Sequence, residues 1–108
     1  MKIGIVEFID CAHLLPSHPK CGVLHGHTYK VELSIEGEKR QGMVLDFADL
    51  KAIVRGVLGE FDHRNWNDFI AYPSVENICE LIHNRLKARL AFPFALRVWE
   101  GDGKWAEI

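Results

Sequence analysis

The run from His25 to Glu36 constrains this chain more than any other stretch, because its side chains alternate without a break. His25, His27, Tyr29, Val31, Leu33 and Ile35 share one parity, and Lys30, Glu32, Ser34 and Glu36 take the other. Successive side chains of a strand point to opposite faces, so this is the pattern of a half-buried β-strand. The two imidazoles extend its apolar face instead of meeting water. Residues two apart on a strand stand roughly 6–7 Å apart along the backbone, so one metal ion could bridge them. Cys21 precedes His25 in the same stretch, which brings three groups able to bind metal or move a proton close together in sequence.

The remaining elements follow from periodicity and punctuation. Residues 2–10, rich in β-branched and aromatic types, predict a first strand, with Val6 interrupting the alternation as an expected bulge. Pro16, Ser17 and Pro19 make a loop between His13 and Cys21, in which His18 reads as solvated. Asp46 is an expected helix N-cap, followed by Phe47, Leu50, Val54, Val57, Leu58 and Phe61 at helical spacing, with Gly59 as the stop. Ser74 caps a second expected helix, whose stripe is Val75, Ile78, Cys79, Ile82, Leu86 and Leu90, and Pro93 lies beyond its end. Leu96, Val98 and Glu100 share the parity of a third strand, and Lys104 to Ile108 forms a fourth after the Gly101-Asp102-Gly103 turn. The order β-β-α-α-β-β predicts an α+β fold, with two helices on one face of a mainly antiparallel sheet. The 108 residues read as a single domain, 1–108.

A formal charge of −2 argues against a general binder of nucleic acid or anionic membrane, so an anionic ligand must be met by a local patch. No long apolar run and no leader pattern occur, which predicts a cytoplasmic protein with no membrane partner. Three cysteines, an odd number without paired spacing, fit a reducing compartment.

Several residue groups carry candidate chemistry. His13, His25 and His27 are a potential Zn²⁺ set, and three protein ligands leave a fourth position open, as in catalytic sites. Cys21 lies beside Lys20, whose charge favours a thiolate, so it is a candidate proton acceptor; as a fourth ligand it would instead close the site. Cys11 and Cys79 read as inert apolar residues. Asp62 and His63 are adjacent, and neighbours on a regular element point apart, so spacing alone assigns them no role. Glu100 has the core-facing parity, which is costly for a carboxylate without partners. Either it ends the strand and turns into water, or it accepts the paired N–H donors of an aminopyrimidinone ring. Glu76, near the Ser74 cap, either helps to bind a ring or stabilises the helix N-terminus, with a backbone contribution from Ser74 and Val75.

Taken in order, Ala12-His13, Cys21-x-x-x-His25-Gly26-His27, Gly42-Met43-Val44-Leu45-Asp46-Phe47, Asp62-His63, Pro73-Ser74-Val75-Glu76-Asn77 and Val98-Trp99-Glu100 resemble the 6-pyruvoyl-tetrahydropterin synthase family. Among its branches the chain is most similar to the 6-carboxy-tetrahydropterin synthases of queuosine biosynthesis. The resemblance implies the tunnelling fold, in which subunits join their sheets into a barrel, as a homo-oligomer of two trimers with active sites at subunit boundaries. It also implies a zinc-dependent carbon–carbon and carbon–oxygen lyase acting on 7,8-dihydroneopterin triphosphate, with loss of triphosphate and acetaldehyde. His13, His25 and His27 would hold Zn²⁺. Cys21, Asp62 and His63 would form a proton relay, and Glu100, with Ser74, Val75 and Glu76, would hold the pterin. The alternatives are 6-pyruvoyl-tetrahydropterin synthesis, and a non-catalytic module that binds zinc or pterin.

Overall fold

Strand β2, His25–Glu36, is the centre of the molecule and coincides with the alternating run. It pairs antiparallel with β1, Lys2–His13, on one side and with β3, Phe94–Glu100, on the other, while β4, Lys104–Glu107, forms the far edge. The computed structural model describes residues 1–108. Helix α1 is Phe47–Leu58 and helix α2 is Val75–Lys87, with one 3₁₀ turn, Trp66–Asp68, between them. The order is therefore β-β-α-α-β-β, with every strand pair antiparallel.

Both expected caps are present. The Asp46 carboxylate accepts the Ala48 N–H at 2.7 Å, and the Ser74 hydroxyl accepts the Asn77 N–H at 3.2 Å. Each satisfies a donor that the first helical turn leaves without an intrahelical partner. Leu50, Val54, Val57 and Leu58 of α1, with Ile78, Cys79, Ile82 and Leu86 of α2, are buried against Ile9, Val31, Leu33, Leu96 and Val98 of the sheet. Apolar burial of this kind, about 25 cal/mol per Å², is what holds α2 against the sheet. That packing fixes the start of α2 beside the end of β1.

Three details depart from the sequence reading. Strand β1 runs on to His13, and its register is unbroken, with Val6 opposite Glu32, so the expected bulge is absent. The alternation holds because Val6 and Phe8 are apolar residues exposed on the sheet face that carries no helix. The residue out of place is Glu7, a carboxylate on the parity of Ile5 and Ile9. Phe47 opens α1 but is 55% exposed, outside the buried stripe.

The last turns before the 3₁₀ segment cover one end of the β1 edge. The Asp62 carboxylate accepts the Asp10 N–H at 3.0 Å, the Asp10 carbonyl accepts the His63 N–H at 2.7 Å, and the Arg64 carbonyl accepts the Ala12 N–H at 3.0 Å. Asn67 completes the row with its side chain, accepting from the Leu14 N–H at 2.9 Å and donating to the Leu14 carbonyl at 3.0 Å. An edge strand presents unpaired donors and acceptors, and here residues 62–67 satisfy them from Asp10 to Leu14.

Candidate active site

The register sets His13 directly across from His25 and Cys11 across from His27. His25 and His27 share a face of β2, so three imidazoles fall in one patch, with ring centroids 4.7 to 5.1 Å apart. The Nδ1 of His13 lies 2.8 Å from the Pro73 carbonyl, and the Nδ1 of His25 lies 2.6 Å from the Val23 carbonyl. A carbonyl oxygen only accepts, so each Nδ1 carries the proton and each Nε2 of a neutral ring is left bare. These two bare nitrogens face each other at 3.1 Å.

The third nitrogen completes the cluster. His27 Nε2 is buried and has no hydrogen-bond partner. Burial lowers its pKa, Glu100 opposes that shift, and the neighbouring His13 and His25 reinforce it, so the ring is held neutral. Glu100 Oε1 lies 3.5 Å from that nitrogen, a contact that becomes an ion pair only if the ring takes a proton. The ligand atoms of His13, His25 and His27 all lie within 4.8 Å of one another. Three imidazole nitrogens this close together, one of them orphaned and buried, fit a divalent transition ion. Cys21 is outside this group.

The ring of His13 is fully buried, and the Tyr29 hydroxyl lies 3.4 Å from its Nδ1. Burial holds the Tyr29 phenol far above its ordinary pKa, so it stays neutral beneath the histidines. Trp66 packs edge-on against Tyr29, with centroids 5.8 Å apart, and supports that floor from the 3₁₀ turn. The bond from His13 to the Pro73 carbonyl ties the end of β1 to the residue just before the Ser74 cap of α2.

Asp62 and His63 owe their contact to an unusual turn. His63 has φ +62°, the left-handed region that non-glycine residues seldom enter, and this folds its ring back so that Nδ1 meets Asp62 Oδ1 at 2.9 Å. Arg55 Nη2 lies 3.3 Å from the other carboxylate oxygen. Burial alone would raise the Asp62 pKa, but the Asp10 N–H, His63 and Arg55 outweigh it and hold the carboxyl below its ordinary value. His63 and His27 line the same groove of about 590 Å³, with Asp10, Gly26 and Arg64.

Cys21 stands apart within one chain: no hydrogen bond or ion pair joins its side chain to the histidines or to Asp62 and His63. Its loop is tied to itself, through His18 and Leu15. Sequence reasoning missed the two tautomer-fixing carbonyls, the Asn67 bridge and the engagement of His18. Only Asn67 left a trace, as part of Asn65-Trp66-Asn67, where Asn65 caps the 3₁₀ turn by accepting the Asn67 N–H at 2.9 Å.

Residues 2–108 match the model of the family described as 6-pyruvoyl tetrahydropterin synthase. The chain belongs to that family. One family relative, from Archaeoglobus fulgidus and provisionally named a 6-carboxy-5,6,7,8-tetrahydropterin synthase, is 47% identical over all of this chain and 95% of its own length. Another, a dihydroneopterin monophosphate aldolase of Pyrococcus furiosus, is 43% identical over 79% of this chain and 77% of its own. The 6-pyruvoyl tetrahydropterin synthase of Caenorhabditis elegans superposes with a TM-score of 0.90 over the whole chain and 94% of that structure, at 23% identity. The chain thus has the tunnelling fold of this family. No helix is long and apolar enough to cross a membrane.

Two outcomes follow from this geometry. The ionised form of Asp62 is the one its partners stabilise, so that stability is fully present above the ordinary aspartate value and is lost as pH falls below it through the depressed value of the folded state. Asp62→Asn is therefore expected to lower the urea midpoint at neutral pH, with the gap to wild type closing on acidification; a gap independent of pH would contradict it. Zinc in excess is expected to bind at one ion per chain by elemental analysis and to raise the thermal midpoint, as any ligand selective for the folded state does. His27→Ala should abolish both effects, and retention of either would contradict the three-nitrogen site.

Proposed function

We propose that the protein is a zinc-dependent 6-carboxy-5,6,7,8-tetrahydropterin synthase, a lyase that consumes 7,8-dihydroneopterin triphosphate in the cytoplasmic route to queuosine. The observation that carries this reading is the convergence of the ring nitrogens of His13, His25 and His27 beside the Glu100 carboxylate. The 47% identity to the A. fulgidus relative across the whole chain supports the choice of branch.

His13, His25 and His27 would hold the zinc, which when bound supplies Lewis-acid polarisation of substrate oxygens. The ligand set without Cys21 favours a site with an open position over a closed structural one. Glu100, at the rim of the cluster, is set to accept two parallel N–H bonds from the aminopyrimidinone edge, a charge-assisted pairing that orients the ring. Ser74, Val75 and Glu76, which follow Pro73 in the chain, would add contacts to the same ring. Cys21 exchanges protons with the substrate side chain as a thiol and thiolate. Asp62 fixes the His63 ring through Nδ1, leaving Nε2 to pass a proton. Since Cys21 does not reach Asp62 and His63 within one chain, the relay is completed across a boundary between subunits of a homo-oligomer. The conversion balances without an external oxidant: triphosphate is eliminated, one water is taken up and acetaldehyde departs, while the pterin ring gains the reducing equivalents that its side chain loses.

A second reading has a specific observation behind it, the similarity to the aldolase of P. furiosus. The loop contents weigh against it. The family resemblance implies that the branch which cleaves dihydroneopterin carries a glutamate at or near the cysteine position. From Leu14 to His27 this chain has no acidic residue, and Cys21, Lys20 and His18 are its only non-ligand titratable groups there.

Anaerobic incubation of the zinc-loaded protein with 7,8-dihydroneopterin triphosphate, followed by mass analysis of the pterin, is expected to give the carboxy product with one acetaldehyde per turnover. Cys21→Ala should keep zinc and the fold while losing about 10²-fold or more in rate, the usual scale for a proton-transfer group. A pyruvoyl product would move the assignment to 6-pyruvoyl-tetrahydropterin synthesis. Loss of zinc from Cys21→Ala would point to a structural zinc module.

A further inference from the structure

Asn67 and His25 hold the loop at Leu14 and Val23, and between them the hydrogen bonds of Leu15 to Gly22 are all made within the loop and close its backbone. The Leu15 N–H donates to the Cys21 carbonyl at 2.8 Å, the His18 N–H to the Leu15 carbonyl at 3.0 Å, and the Gly22 N–H to the His18 carbonyl at 3.1 Å. Ser17, at φ +65°, takes the left-handed turn that directs His18 back into the loop. There His18 Nδ1 accepts two backbone donors, the Lys20 N–H at 3.2 Å and the Cys21 N–H at 2.9 Å. Gly22 is required by the same closure, because a Cβ there would lie 2.7 Å from the His18 carbonyl oxygen.

We infer that His18 is a positioning residue for Cys21: its neutral imidazole clasps the Lys20 and Cys21 backbone and so sets where the Cys21 thiol stands. This rests on the reading of Cys21 as the proton-transfer group. The clasp follows from the acceptor inventory. An imidazole with Nδ1 bare can accept, whereas an imidazolium has a proton on both nitrogens and can only donate. A side chain that accepts the N–H two residues ahead reproduces the Asx turn, and asparagine does this routinely. With Nδ1 engaged, the backbone N–H and carbonyl of His18 are also both used, so three of its four polar groups hold the loop. No hydrogen bond or ion pair reaches the ring from another element. The charged and titratable groups that adjoin it are Lys20 and Cys21 of its own loop.

The test compares wild type, His18→Leu, His18→Asn and Cys21→Ala, all zinc-loaded, with 7,8-dihydroneopterin triphosphate. Misplacing a reacting group without removing it lowers the rate of the chemical step more than binding. Accordingly His18→Leu is expected to lose about tenfold or more in kcat, on the scale of two backbone hydrogen bonds. Its KM, zinc content and thermal midpoint should stay near wild type. In His18→Asn the side-chain oxygen replaces Nδ1 and restores kcat. A His18→Leu variant as fast as wild type, or a His18→Asn variant as slow as His18→Leu, overturns the clasp while leaving the proposed function intact. Full turnover by Cys21→Ala overturns the catalytic reading itself, and the positioning role with it. Amide hydrogen exchange gives a readout free of turnover: protection at Lys20 and Cys21 should fall about tenfold or more in His18→Leu, and equal protection in the two proteins would refute the clasp.

Discussion

The carbonyl oxygens of Pro73 and Val23 each take the Nδ1–H of a histidine, and most of the site depends on that small fact. Once His13 and His25 have spent their protons on backbone, their Nε2 atoms meet at 3.1 Å with no proton between them. Two facing lone pairs repel, and a third from His27 adds to the conflict. Such an arrangement in a buried place is stable only if the surroundings enforce it or a cation resolves it. Each carbonyl bond contributes on the order of 1 kcal/mol net, so the enforcement comes chiefly from packing. His13 is anchored to the start of α2, and α2 is anchored to the sheet through Ile78, Ile82 and Leu86. The ligand geometry is thus a consequence of the hydrophobic core, not an addition to it.

The same economy governs the second group. Strand β1 is a sheet edge, and its open donors and acceptors from Asp10 to Leu14 need partners. The turn at Asp62 and His63 supplies them, and in doing so enters the left-handed region at His63 and aligns the pair along the strand that ends in His13. Edge protection and delivery of an acid–imidazole pair to the groove are one set of hydrogen bonds. Asn67 repeats the device at Leu14, where its amide imitates a paired strand residue at the point where the chain leaves β1.

Much of this was legible in the sequence, and the limits are physical. The alternation from His25 to Glu36 marked β2 because one face of that strand is buried and the other is not. The His-x-His parity, Asp46 and Ser74 announced themselves through local rules that the fold obeys. Val6 hides the alternation of β1 because an apolar side chain stands on the exposed face there, while Glu7 holds the parity of Ile5 and Ile9. The Asp62 and His63 contact could not be read from spacing, since it depends on a left-handed turn held by the backbone of Asp10 in β1, 52 residues before Asp62 in the chain. Pro73 and Val23 act through carbonyl oxygens that every residue possesses, so no side-chain pattern could single them out. His18 reads as a solvated loop residue and is indeed exposed, but its ring faces inward to its own backbone.

The account is tested most directly by the protonation of the histidine rings in the metal-free protein. Nitrogen-15 NMR through the long-range imidazole couplings, at a pH where all three rings are neutral, distinguishes which nitrogen carries the proton. The predicted result is Nδ1–H with bare Nε2 for both His13 and His25, the less common form of free histidine. An Nε2–H tautomer on either ring would mean that the two imidazoles bond to each other instead of presenting lone pairs to a shared ion, and it would contradict the site described here.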